Sequence, residues 1–95
     1  MTKSERTKLR SLGQTIADLG FVGKEGVTEN VLKQISDNLT AHELVKIKVQ
    51  KNAPEEIGEI AEKIATGCNC EVVTIIGSKI LVYRYSDKEK IKHIL

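Results

Sequence analysis

The residues best suited to chemistry in this chain are Gly23-Lys24-Glu25-Gly26. They lie between the apolar run Leu19-Gly20-Phe21-Val22 and the segment Val27-Thr28-Glu29-Asn30. Two glycines three apart permit positive φ and a close backbone approach. Successive N–H groups can then point outward at the mouth of a helix whose dipole favours anions. The ligand that suits such a loop is a phosphate. Nucleotide hydrolysis is a poor fit, because Gly26 is followed by Val27 where a P-loop needs Lys and then Ser or Thr.

No other stretch assembles a reaction centre. Catalysis would call for a nucleophile beside a base, two carboxylates of different pKa, or a metal cluster. His42 and His93 stand apart in the sequence, and His42 falls at an expected helix end, where an imidazolium is favourable against the dipole. Cys68 and Cys70 form a Cys-x-Cys pair with no second pair and no nearby histidine, short of the four ligands a zinc site wants. One cysteine is expected to pack under a sheet and the other to cap the turn before it. The chain therefore reads as non-enzymatic, with no catalytic residue, no metal and no cofactor.

The elements that must position the loop are readable from periodicity. Ser4 is a candidate cap for a first helix running to about Asp18, with Leu9, Leu12, Ile16 and Leu19 as its buried stripe and Lys3, Arg6, Arg10 and Gln14 opposite. A short strand around Phe21 leads into the loop. Thr28 then caps a second helix, with Val31, Leu32, Ile35 and Leu39 on one face, ending between Thr40 and His42. Leu44 to Gln50 alternates strictly, Val45, Ile47 and Val49 one way and Lys46, Lys48 and Gln50 the other, which predicts a strand with one covered and one wet, basic face. A third helix is expected from about Asn52, with Pro54 in its first turn, Ile57, Ile60, Ala61 and Ile64 facing inward, and Gly67 as its C′ residue. Cys70–Ile76 and Lys79–Tyr85 read as a hairpin joined by Gly77-Ser78, and Ser86-Asp87-Lys88-Glu89 has capping-box spacing before a last short helix carrying Ile91, Ile94 and Leu95. The order α-β-α-β-α-β-β implies an α/β two-layer sandwich: a four-stranded mixed sheet with its helices on one face.

Composition bounds the rest. Ninety-five residues with 40% hydrophobic content sustain one core. We expect one domain over residues 1–86 followed by a helical tail over 87–95. No apolar run approaches the roughly 18 residues of a membrane span, and the charged start leads into no apolar signal region, so the expectation is a cytoplasmic monomer with no membrane partner. Net charge is only +2, but it is segregated: residues 1–24 carry +3, 25–43 carry −3, 44–51 carry +3 and 52–67 carry −3. The acidic third helix is a poor surface for nucleic acid; the first helix carries a basic stripe that is an ordinary solvated face unless it lies beside the glycine loop, and the open face of the alternating strand is basic.

Sheet-based RNA recognition usually stacks bases on strand aromatics, and this chain has only Phe21, Tyr83 and Tyr85. The mode left is backbone clamping by a G-x-x-G loop, as in KH domains, with Lys24 and the Arg6/Arg10 stripe as phosphate partners. The ordered series Leu9-Arg10-Ser11-Leu12, Val22 to Val31, His42 to Val49, Ile76-Gly77 and Leu81-Val82-Tyr83-Arg84 resembles the CRM domain (chloroplast RNA splicing and ribosome maturation) over residues 2 to about 86. The resemblance implies a fold like the C-terminal domain of a bacterial translation initiation factor. It also implies RNA binding through Gly23, Lys24, Glu25 and Gly26, with the basic first-helix positions near Lys8 and Arg10, and Arg6 extending that surface. A free-standing chain of this length is similar to the prokaryotic members associated with precursors of the large ribosomal subunit. The expectation is thus an RNA-binding protein acting on ribosomal RNA in large-subunit assembly. The alternative is a protein-interaction module of a ribosome-maturation complex that uses the C-terminal helix.

Overall fold

The computed structural model describes residues 1–88, 91 and 93–95. Its elements follow the order α1 (Lys3–Gly13), β1 (Asp18–Val22), α2 (Glu29–His42), β2 (Leu44–Val49), α3 (Ile57–Cys68), β3 (Glu71–Ile76) and β4 (Lys79–Tyr83). The strands form one mixed sheet in the spatial order β1-β2-β4-β3, with β1 parallel to β2 and the other pairs antiparallel. The expected α/β fold with a four-stranded mixed sheet is the observed one.

Four helix boundaries moved. Thr2 rather than Ser4 caps α1, because Thr2 and Glu5 close a reciprocal capping box, and the helix ends at Gly13 instead of Asp18. Pro54 lies ahead of α3, which starts after Glu56. Gly67 sits inside that helix, where a Cβ would come within 2.8 Å of Leu32, and Asn69 takes the left-handed cap instead. Thr28 caps α2 as expected, its hydroxyl accepting the Val31 N–H at 3.1 Å.

The helices do not share one face of the sheet, which corrects the two-layer reading. Val45, Ile47 and Val49 of β2, with Ile80 and Val82 of β4, meet Ile35, Leu39, Ile60 and Ile64 of α2 and α3 in the main core. On the reverse face Leu44, Val73 and Leu81 form a second, smaller cluster, and α1 covers it with fully buried Leu9. The reverse face is apolar at one end and lysine-bearing at the other, so α1 packs on the first and leaves the second open. Burial of Leu9 is worth about 2 kcal/mol.

Arg6 fastens α1 in place. Its Nη1 donates to the carbonyls of Val72 (3.1 Å) and Val73 (2.7 Å), at the point where β3 slips register against β4. A bulge on an edge strand leaves backbone groups unpaired, and the guanidinium satisfies two of them. Arg6→Ala is expected to lower stability by about 1–2 kcal/mol in urea titration.

The chain after β4 folds back on the domain. Arg84 Nη1 donates to Ser36 Oγ and to the Cys68 carbonyl, and its Nη2 to the Ser36 carbonyl and Thr40 Oγ1, all within 3.0 Å. Glu43 ends α2 at φ 66 and is fully buried; its carboxylate accepts from Ser86 N–H, His93 Nδ1 and Ile94 N–H. The His93 and Tyr85 rings stack 4.5 Å apart. The short helix expected after Ser86 depends on residues 89, 90 and 92, which lie outside the described residues. Of the described tail residues, Ser86, His93 and Ile94 are held by Glu43.

Burial pushes the Glu43 carboxyl up, but the hydrogen bonds from Ser86, His93 and Ile94 outweigh it and hold the group below its ordinary value of 4.5. A carboxyl lowered in the folded state contributes stability that is fully present above the unfolded value and lost as pH falls through the folded one. Urea midpoints of the wild type should therefore fall steeply below pH 4.5, and those of Glu43→Gln less so.

Candidate nucleic-acid interface

The 23–26 loop follows β1 directly and leads to the capped start of α2. The Gly26 N–H donates to the Gly23 carbonyl at 2.9 Å, closing a turn that leaves Lys24 and Glu25 exposed at its tip. Gly26 has φ +72 and packs against Pro54, so this position needs glycine on both counts. Gly23 carries no such constraint: a Cβ there would meet only the end of the Gln50 side chain. Glu55 lies beside Gly26, and its charge is taken up by an ion pair with Lys63. Glu25 itself stays exposed at the tip.

From the loop a basic row crosses the open half of the sheet. Phe21 pairs with Lys48 across β1 and β2, Lys48 pairs with Lys79 across β2 and β4, and Lys79 pairs with Ile76 on β3. Side chains of one row stand on one face at strand spacings of roughly 4.8 Å. Phe21 is 53% exposed, an unusual state for a phenylalanine on a strand. Lys48 Nζ donates to Ser78 Oγ at 2.8 Å and makes no ion pair among the described residues, whereas Lys79 is paired with Asp18 at 2.9 Å.

The three basic residues expected on α1 are divided by the structure. Arg10 overhangs the open sheet near Lys46 and Lys79. Lys8 lies on the other flank, along a groove with Leu12, Ile16, His42 and Ile94. Arg6 is half-buried, its Nη1 bound to the Val72 and Val73 carbonyls of β3. The glycine motif does not point to Lys79, but the alternation of Lys46 and Lys48, extended through the Gly77-Ser78 hairpin, places it in the same row.

The cysteines are inert. Cys68 is buried in the main core at the end of α3, with Sγ donating to the Leu32 carbonyl. Burial pushes the Cys70 thiol up to about 11, so neither group is a ready thiolate nucleophile.

The sequence and the fold are similar to those of known proteins. The family model for the CRS1 / YhbY (CRM) domain matches residues 1–84. The probable RNA-binding protein YqeI of Bacillus subtilis is 34% identical over 90 residues, covering 95% of this chain and 94% of its own. The probable RNA-binding protein MJ0652 of Methanocaldococcus jannaschii is 37% identical over 86 residues, which span 63% of its length. The solution structure of the hypothetical protein SAV1595 from Staphylococcus aureus superposes with a TM-score of 0.79 at 38% identity, over 95% of this chain and 94% of that one. YqeI and MJ0652 are named for binding RNA and not for a reaction, in keeping with a non-enzymatic reading of this chain. With the family model spanning nearly all of the sequence and the fold shared from end to end, the chain belongs to the CRS1 / YhbY (CRM) domain family.

Proposed function

We propose that this chain is a non-enzymatic RNA-binding module that acts on ribosomal RNA during assembly of the large ribosomal subunit. The 23–26 loop grips the sugar–phosphate backbone, with Lys24 at its tip, and Arg10, Lys46 and Lys48 extend the contact over the open sheet. The observation that carries this reading is the continuity of the glycine turn with the Phe21–Lys48–Lys79 row, since one RNA strand can follow both. The RNA-binding names of the relatives support the partner class.

The test is a salt-titrated binding assay comparing large-subunit ribosomal RNA fragments with small-subunit and non-ribosomal fragments of equal length. Neutralising four phosphates gives a slope of log K against log salt of roughly −3 for single-stranded RNA. A slope near zero refutes phosphate binding. Equal affinity for all fragments refutes the ribosomal assignment and leaves a general RNA binder.

A further inference from the structure

Backbone gripping by the loop leaves one feature of the open sheet unused. Where the last turn of α1 crosses the strands, a cavity of about 190 Å³ opens between helix and sheet. That is below the roughly 300–1,000 Å³ of a site for a drug-sized ligand and suits a single flat ring. Its floor is apolar. Leu81 is 5% exposed, and Gly13 lies so close above it that a Cβ at position 13 would come within 2.6 Å of the leucine methyl. With no side chain at 13 the helix backbone rests directly on Leu81, which holds α1 close to the sheet at this edge of the cavity. Ile76, 63% exposed, forms an apolar wall, and Gln14 and Thr74 bring groups that can both donate and accept hydrogen bonds.

The rim is cationic. Arg10 stands on α1 and Lys46 on β2, and among the described residues neither makes an ion pair; Lys79, the third cation, is held by Asp18. An apolar slot one ring wide, with hydrogen-bonding edges and two uncommitted cations at its mouth, matches a nucleotide whose base has left the stack. A base paired within a duplex cannot enter it. The cavity is also connected to the loop: Lys79 belongs to the Phe21–Lys48–Lys79 row, and two strand spacings, about 10 Å, separate its ends.

We propose that this cavity is a nucleotide pocket, which takes one unstacked base of a single-stranded or bulged RNA segment whose backbone is gripped by the 23–26 loop. The base lies over Leu81 with its edge toward Gln14 and Thr74, and the adjoining phosphates sit between Arg10 and Lys46. The exposed Phe21 ring offers a stacking surface to a neighbouring base on the way to the loop. This assignment rests on the RNA-binding reading above and narrows it to unpaired RNA.

The experiment is methyl NMR on the intact chain, following the Leu81 and Ile76 methyls during titration with a short unstructured oligoribonucleotide, a blunt RNA duplex, and free AMP or UMP. The ring current of an inserted base should shift both residues with the oligonucleotide, and neither with the duplex nor with the free nucleotides, which lack the anchorage at the loop. Arg10→Gln with Lys46→Gln should weaken oligonucleotide binding about tenfold and make the salt slope shallower by about 1.4, with unchanged circular dichroism. Binding of the oligonucleotide without movement of the Leu81 and Ile76 methyls overturns the pocket while leaving the loop as the RNA site. Shifts as large with free nucleotides, at no lower affinity, overturn the RNA assignment in favour of a small-molecule site. Absence of binding by any RNA overturns both the pocket and the reading on which it rests.

Discussion

Gly23→Asp is expected to weaken RNA binding at least tenfold at low salt while leaving the fold intact. The two glycines of the loop differ in this respect. Gly26 holds φ +72 with the Pro54 ring 3.2 Å from where its Cβ would be, so a substitution there combines backbone strain with a clash and confounds binding with folding. Gly23 has no positive φ, and its added Cβ meets only Gln50 Oε1 at 3.0 Å, the tip of an exposed and flexible side chain that can swing aside. The new carboxylate would stand next to Lys24. At roughly 6 Å from a bound phosphate it costs about 1–3 kcal/mol, between the water-like and protein-surface limits of the dielectric. A tenfold loss corresponds to about 1.4 kcal/mol, well inside that range. Binding isotherms at several salt concentrations, paired with circular dichroism, decide the matter. Equal binding by a folded variant would reduce the loop to a turn and move the site to the sheet and α1.

The largest loss of stability is expected at Arg84. One guanidinium donates four hydrogen bonds, and its partners lie on two helices: Ser36 and Thr40 on α2, and the carbonyl of Cys68, the last residue of α3. A terminal helix carbonyl has no partner within its own helix and carries the negative end of the dipole, so a cation is the favourable cap. The network contains no carboxylate, and replacing Arg84 by Ala strands several acceptors at once. We expect Arg84→Ala to lower unfolding free energy by about 3 kcal/mol in urea titration. Arg84→Lys should recover less than half of that, because an ammonium on a flexible stem cannot reproduce the planar fork. A loss below about 1 kcal/mol would mean that water replaces these bonds without cost.

Much of this molecule follows from local pattern. The Thr28 cap sets the start of α2 because a hydroxyl there satisfies an amide that has no other partner. The alternation from Leu44 to Val49 sets β2 because successive side chains of a strand face opposite ways. Gly23 to Gly26 reads as a tight turn from the sequence, since the glycine at 26 answers a backbone requirement of a few bonds' range.

Arg6 and Arg10 show where such reading stops. They stand four apart on one helix and look equivalent in sequence, yet one is bonded to a bulge in β3 and the other overhangs the open sheet. Which of them meets solvent depends on where β3 slips against β4, a pairing between residues more than sixty positions from α1. Glu43 is similar: its sequence context is a helix end, and only the return of the tail gives its buried carboxylate three partners.

The sequence by itself determined the element order, the loop and the basic character of one sheet face, because these depend on backbone requirements and periodicities that neighbouring residues set. Tertiary structure alone decided that α1 covers the reverse face, that Arg6 bonds to the β3 bulge, and that Lys46, Lys79 and Arg10 come together beside an open cavity. Those outcomes depend on docking and strand register, which are fixed by contacts between segments far apart in the chain.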